Sequence, residues 1–253
     1  MVTKTKPKQV KSVKQSKTAP IVKSSFDISL KELLEAGAHF GHQARRWNPK
    51  MAPYLWQAKD GVHIFDLVKT AKGLKDACEA VRDLVAQGKT VVFIGTKRQA
   101  QAIIREEALK AGMPYVGNRW LGGTITNWEQ LKKSIDKLLE MIDKKAKGGY
   151  EKYTKKENLL IDKEITRLTS TVGGLTTLKD LPAAIFVVDT KREYAAVREA
   201  KVKGIKIFAI VDSNSDPDPV DYVIPANDDA VRSIQLITST FALAVADGLK
   251  LRK

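Results

Sequence analysis

The chain has one cysteine, three histidines and no long apolar run, and each shortage removes a class of function. Cys78 alone forms no internal disulfide and completes no multi-cysteine zinc site, a usage that fits a reducing compartment. The longest uninterrupted apolar stretches, such as 183–188 and 241–246, have six residues. A spanning helix needs roughly 20, so no transmembrane segment is expected. The motifs of several enzyme classes are missing: no Walker phosphate loop, no GxGxxG, no GxSxG elbow and no HExxH. Acid is absent from the first 23 residues, where seven lysines are separated mainly by Ser, Thr, Gln and Pro. A segment of this kind cannot bury enough surface to offset the entropy of ordering, so residues 1–24 are predicted to be a disordered basic arm. The same composition is open to an organellar transit peptide, although those favour Arg and this arm has none.

What the chain has in excess is positive charge. Lys and Arg number 44 against 29 Asp and Glu, a net +15, and +8 remains when the arm is set aside. A polyanionic partner is the physical expectation.

At 253 residues the chain is long enough for one large domain or two small ones. Ile28, Leu30, Leu33 and Leu34 predict a short helix capped by Ser29 and stopped by Gly37. Tyr54–Trp56, the turn Lys59-Asp60-Gly61 and Val62–Phe65 predict a β-hairpin, and 67–87 a helix ended by Gly88. Apolar runs at 91–94, 114–116, 183–188, 207–211 and 222–224 then alternate with helical patterns at 97–111, 191–203 and 228–246. Near-continuous apolar strands separated by helices imply a parallel sheet covered on both faces. The expected fold is α/β, a doubly wound parallel sheet of about five strands resembling flavodoxin. One connection, with 66 residues between Val116 and Ala183, is far longer than a crossover needs. Within it Trp128, Leu131, Ile135, Leu138 and Ile142, then Ile161, Ile165, Leu168 and Val172, each mark one helix stripe. The expected organisation is an antiparallel helical hairpin over 127–172, a coiled coil inserted into a discontinuous α/β domain of 25–126 with 173–253. The hairpin has 11 basic against 8 acidic residues and reads as solvated.

Residues 36–59 contain no acid and interleave Arg45, Arg46, Lys50 and Lys59 with Phe40, Trp47, Tyr54 and Trp56. Cations neutralise phosphates and aromatic faces stack on bases, so this mixture suits irregular RNA; a basic loop with its aromatics turned inward is the plainer alternative. His39 and His42 lack suitably spaced cysteines or carboxylates, which favours hydrogen-bonding histidines over metal ligands. Thr96 is read as the cap of the helix after the first sheet strand. Lys97 and Arg98 in its first turn oppose the helix dipole unless an anion sits there. Asn118-Arg119-Trp120 and Lys191-Arg192 share that carboxyl edge, so three basic loops could meet phosphates of an RNA or of a nucleotide. The stretch 212–219, rich in Asp, Ser, Asn and Pro, is read as a rigid turn rather than a magnesium site. The residues thus leave two functions, an RNA-binding structural protein and a phosphate-ligand-binding α/β enzyme. The second lacks a catalytic constellation.

Four ordered blocks carry a resemblance. Residues 33–42, LLEAGAHFGH, with 46–51, RWNPKM, resemble the opening signature of the ribosomal protein S-two family. Residues 119–124, RWLGGT, with Thr126 and Asn127, then FAIVD at 208–212 with NSDP at 214–217, and IPANDDA at 224–230, are similar to further family blocks in the same order. The resemblance implies a flavodoxin-like domain with a helical hairpin insert. It also implies a non-catalytic constituent of the small ribosomal subunit that binds small-subunit ribosomal RNA. In bacteria it implies a place near the junction of head and body, beside neighbouring small-subunit proteins, and a part in recruiting the S-one ribosomal protein. Cytoplasmic ribosomes are the implied location, with organellar ribosomes as the alternative. No cofactor, metal, membrane or small-molecule substrate is expected. The candidate RNA contacts are His39, His42, Arg45, Arg46, Trp47, Asn48, Lys50, Lys97, Arg98, Asn118, Arg119 and Trp120. Two features depart from the family: Gly117 stands where Asn is usual, and the lysine-rich arm has no counterpart in the common short form.

Overall fold

The computed structural model describes Phe26 and residues 28–252; the expected basic arm lies outside them. Helix α1 (Leu30–Glu35) starts at Ser29 with a capping box: Ser29 Oγ accepts from Glu32 N at 3.2 Å, and Ser29 N donates to Glu32 Oε2 at 2.9 Å. Gly37 follows with φ +74°, where a side chain would be strained, and the chain turns away. Ser29→Ala should cost about 1 kcal/mol, read as a lower urea midpoint with unchanged slope.

Strands β1 (Phe40–Gln43), β2 (Leu55–Lys59) and β3 (Val62–Phe65) form an antiparallel sheet in the order β1-β3-β2. The β2–β3 hairpin has Asp60 and Gly61 both at positive φ, as a two-residue turn of matching twist requires. Strand β1 was not expected. Its residues Phe-Gly-His-Gln carry no strand periodicity, and pairing with β3 fixes it.

After α2 (Leu67–Ala86), the second sheet is built from β4 (Val91–Ile94), β5 (Tyr115–Val116), β6 (Ala184–Val188), β7 (Lys206–Val211) and β8 (Tyr222–Pro225). All neighbours are parallel and the order is β5-β4-β6-β7-β8. This is the doubly wound, flavodoxin-like order, whose switch point lies between β4 and β6. Helices α3 (Gln101–Lys110), α4 (Trp128–Ala146), α5 (Lys155–Val172), α6 (Tyr194–Val202) and α7 (Val231–Leu251) complete the chain.

One face of the parallel sheet packs Phe93, Phe186 and Phe208 against α2, α3 and α7, with Phe186 and Phe241 stacked at 4.3 Å. Helix α7 is long and apolar enough to cross a membrane. Its residues Ile234, Ile237, Phe241 and Val245 are buried in this core. The other face packs Val92, Ile94, Ile185 and Val187 with Ala196 and Ala200 of α6 and with the sheet-proximal ends of α4 and α5. Leu131, Ile135, Leu138, Leu168 and Val172 of the two expected stripes are buried there, whereas Ile142 is exposed. Two helices alone have no third wall with which to cover the far half of the stripe. Ion pairs Lys137–Glu164 and Lys145–Asp162 join α4 and α5 instead.

Candidate nucleic-acid interface

The small antiparallel sheet sits across the carboxyl end of β7. Gly41 permits this approach, because a Cβ there would meet Ser213 Oγ at 2.8 Å. His42 N donates to Ser213 Oγ at 2.8 Å, and Asn48 N donates to the Ser213 carbonyl at 2.7 Å. These bonds fix both ends of a loop whose 3₁₀ turn, Ala44–Arg46, presents Arg45 and Arg46 to solvent. Arg45 donates to Gln43 Oε1, and Arg46 has no partner among the described residues. Trp47 is partly exposed with its ring 4.9 Å from that of His63, and Trp56 on β2 is 68% exposed. Phe40, Trp47 and Trp56 therefore do not turn fully inward, contrary to the plainer alternative.

Other candidates are already engaged. The Lys50 ammonium pairs with Asp216 at 3.0 Å and Asp218 at 2.5 Å, which also rigidifies the 212–219 turn. Asn48 caps the next 3₁₀ helix by accepting from Lys50 N. Asn118 Nδ2 donates to the Ser170 carbonyl at 2.7 Å, tying the end of β5 to α5. Trp120 is only 8% exposed and its indole N–H donates to Glu199 at 3.0 Å, so its ring is a core element and not a stacking platform. His39 is partly buried with Nδ1 unpartnered among the described residues, and burial holds its pKa below the usual value.

The switch point corrects the sequence reading most. Helix α3 starts at Gln101, four residues later than expected, and Thr96 does not cap it. Thr96 instead donates from its backbone N at 2.9 Å and its hydroxyl at 2.5 Å to Glu193, a 3% exposed carboxylate. Arg192 Nε donates to the Thr96 hydroxyl at 3.0 Å. The anion expected after β4 is thus supplied by the chain itself. Burial holds the Glu193 carboxyl above its ordinary pKa despite these donors. Lys97 turns inward to Asp228 at 2.6 Å, Asp229 at 2.5 Å and Asp189 at 3.7 Å, with 11% of its side chain exposed. Burial pulls its pKa down, but these carboxylates leave it net raised. Lys97 has no free charge for a phosphate. Arg98 and Arg119, by contrast, are exposed and have no partner among the described residues.

Next to Lys97, His42 Nδ1 lies 3.1 Å from Asp212 and Nε2 3.4 Å from Asp229. Its hydrogen bond to Asp212 is the main reason its pKa is raised. Burial, then Asp212 and Asp189, push Asp228 up to about 7. Donor atoms of His42, Asp212 and Asp228 lie within 4.8 Å of one another, and Asp228 Oδ2 is buried with no hydrogen-bond partner among the described residues. The Lys97 ammonium, 2.6 Å from Asp228, already supplies a positive charge to this group. Sequence spacing could not show it, because the carboxylates come from the ends of β7 and β8. A Cβ at Gly117 would meet only the Gln101 carbonyl at 3.6 Å and Tyr115 at 4.0 Å, so sterics do not demand glycine there.

Similarity to known proteins decides the family. The sequence profile described as Ribosomal protein S2 matches residues 33–248. The chain belongs to the ribosomal protein S2 family. A protein named Small ribosomal subunit protein uS2 from Chloroherpeton thalassium is 50% identical over 226 residues, 89% of this chain and 90% of its own. Its namesake from Roseiflexus sp. is 50% identical over 226 residues, 89% and 86%. That from Geotalea uraniireducens is 51% identical over 222 residues, 88% and 87%. The α/β fold with a five-stranded parallel sheet agrees with this membership.

Proposed function

We propose that this protein is a structural constituent of the small ribosomal subunit in the cytoplasm, that it binds small-subunit ribosomal RNA there, and that it has no catalytic role. The observation that carries the reading is the switch point. In folds of this order small ligands bind outside the strand ends, and here Glu193, Lys97, Asp189 and Asp228 fill that place with the chain's own charges. The phosphate-ligand enzyme loses its site, while Arg45, Arg46, Trp47 and Trp56 remain presented to solvent. We assign the RNA surface to Arg45, Arg46 and Trp47, with Arg98 and Arg119 as further phosphate contacts. Lys97 and Trp120 are left out of it because both are engaged within the fold. Neighbouring small-subunit proteins complete the environment, and recruitment of the S-one protein is the further role that family membership supports.

The test is binding of the full chain to a small-subunit ribosomal RNA transcript across a salt series, with co-sedimentation on small subunits. Affinity should fall steeply with salt, because each neutralised phosphate releases counterions. A flat response, or tight stoichiometric binding of free nucleotides, would return the molecule to the enzyme class.

A further inference from the structure

The loop that carries Arg119 is held by one side chain from a different element. Glu199, on α6, receives five donors through its two carboxylate oxygens. Oε1 accepts from Trp120 Nε1 at 3.0 Å and Gly123 N at 2.8 Å. Oε2 accepts from Ile125 N, Thr126 N and Thr126 Oγ1, each at 3.0 Å. The loop also closes on itself, with Thr124 Oγ1 and Asn127 N donating to the Leu121 and Gly123 carbonyls at 2.6 and 2.8 Å, and Glu199 is the side chain that ties it to α6. Gly123 adopts φ +89°, and Asn127 at the start of α4 gives no side-chain cap. Three backbone N–H groups that a strand or helix would have satisfied converge on this carboxylate. Burial alone would raise the Glu199 pKa, yet the donors bring it below the usual carboxylate range, so the ionised form holds them across the neutral range. An ionised acceptor also makes each bond stronger than a neutral amide oxygen would.

Arg119 directly precedes the first residue so held and is exposed without a partner among the described residues. A flexible cation loses more freedom when it meets a phosphate than a pre-oriented one does. We propose that Glu199 is the positioning residue of this part of the RNA surface: it clasps the 120–126 loop so that Arg119 meets a ribosomal RNA phosphate, without touching RNA itself. The proposal rests on the RNA reading above.

The test uses the full chain and a small-subunit ribosomal RNA transcript, with Glu199→Gln, Arg119→Ala and the double variant. The glutamine keeps the shape but replaces one accepting oxygen by a donor, so the Gly123, Ile125 and Thr126 amides should exchange at least tenfold faster while those of the sheet stay unchanged. RNA affinity should drop about tenfold in each single variant. The slope of log affinity against log salt should fall by about one in both, a change that lost stability alone does not produce. The double variant should bind like Arg119→Ala, because the clasp has nothing left to position. Thr126→Val, which replaces the donating hydroxyl by a methyl of similar size at an exposed position, is a milder probe if the glutamine variant folds poorly. It should cost about threefold in affinity, and nothing in the Arg119→Ala background. Additive losses, or fast-exchanging amides with unchanged affinity, would overturn the proposal. So would an Arg119→Ala variant that binds normally; if Arg46→Ala still weakens binding, the wider RNA reading survives that result.

Discussion

Replacing Lys97 by Met lowers the free energy of unfolding by about 3–5 kcal/mol at pH 8, the range for removing one partner of a buried ion pair. The magnitude follows from what is left behind. Asp228 is 1% exposed and has Lys97 at 2.6 Å as its neutralising charge, with Asp212 and Asp189 close enough to oppose ionisation. The effect depends on pH with a definite sign. The Asp228 carboxyl is raised from 3.8 to about 7, so the folded state holds a proton that the unfolded chain has released. That contribution is full below about 3.8 and is lost as pH rises through 7. His42 is raised from 6.5, so its contribution is full below 6.5 and is lost as pH climbs through its higher folded value. Both groups therefore make the native protein less stable toward alkaline pH. Removing Lys97 pushes Asp228 higher still, which extends the decline upward and shrinks the penalty at pH 5. Urea unfolding at pH 5, 6.5 and 8 in a chelating buffer reads all of this. Equal penalties at pH 5 and pH 8 would mean that Asp228 is not the group Lys97 neutralises.

The same cluster shows why some of the molecule was legible in the sequence and some was not. Strands β4, β6 and β7 are buried on both faces, so they read as unbroken apolar runs such as Val91–Ile94 and were placed within a residue. Their parallel pairing followed from the helices between them. Strand β1 carries no such signal, because Phe40–Gln43 owes its conformation to hydrogen bonds with β3 and not to its own composition. Thr96-Lys97-Arg98 has the pattern of a capped first turn, yet α3 starts at Gln101. The residues that settle it, Glu193 and Asp228, are distant in sequence. The candidate site divides the same way. Exposed cations of the acid-free segment could be seen by composition, but whether a lysine is free or spent depends on carboxylates delivered by other strands. Lys50 and Lys97 are both spent. Trp56 is the most exposed aromatic of the segment, and such exposure is not visible in a short aromatic run.

Arg45→Ala with Arg46→Ala should weaken binding to small-subunit ribosomal RNA by about 100-fold or more, the loss expected when two charged contacts of ~1.5–3 kcal/mol each disappear. Neither guanidinium supports the fold: both are exposed on a 3₁₀ turn, and among the described residues their one hydrogen bond runs from Arg45 to the neighbouring Gln43. The double variant should therefore unfold at the same urea concentration as the wild type, with its salt slope lower by about two. Lys144 and Lys145 on the helical pair form the comparison. Lys145 is 2.6 Å from Asp162, and Lys144 lies over the Tyr150 ring at 5.4 Å, so replacing both by Ala removes charge that is already partly compensated. Their loss should cost less than about threefold in affinity. Trp47→Ala in the arginine-intact protein separates stacking from charge, because it should weaken binding while leaving the salt slope unchanged. If the ranking were reversed, with Lys144 and Lys145 dominant, the RNA would lie along α4 and α5, and the acid-free segment would face solvent or protein.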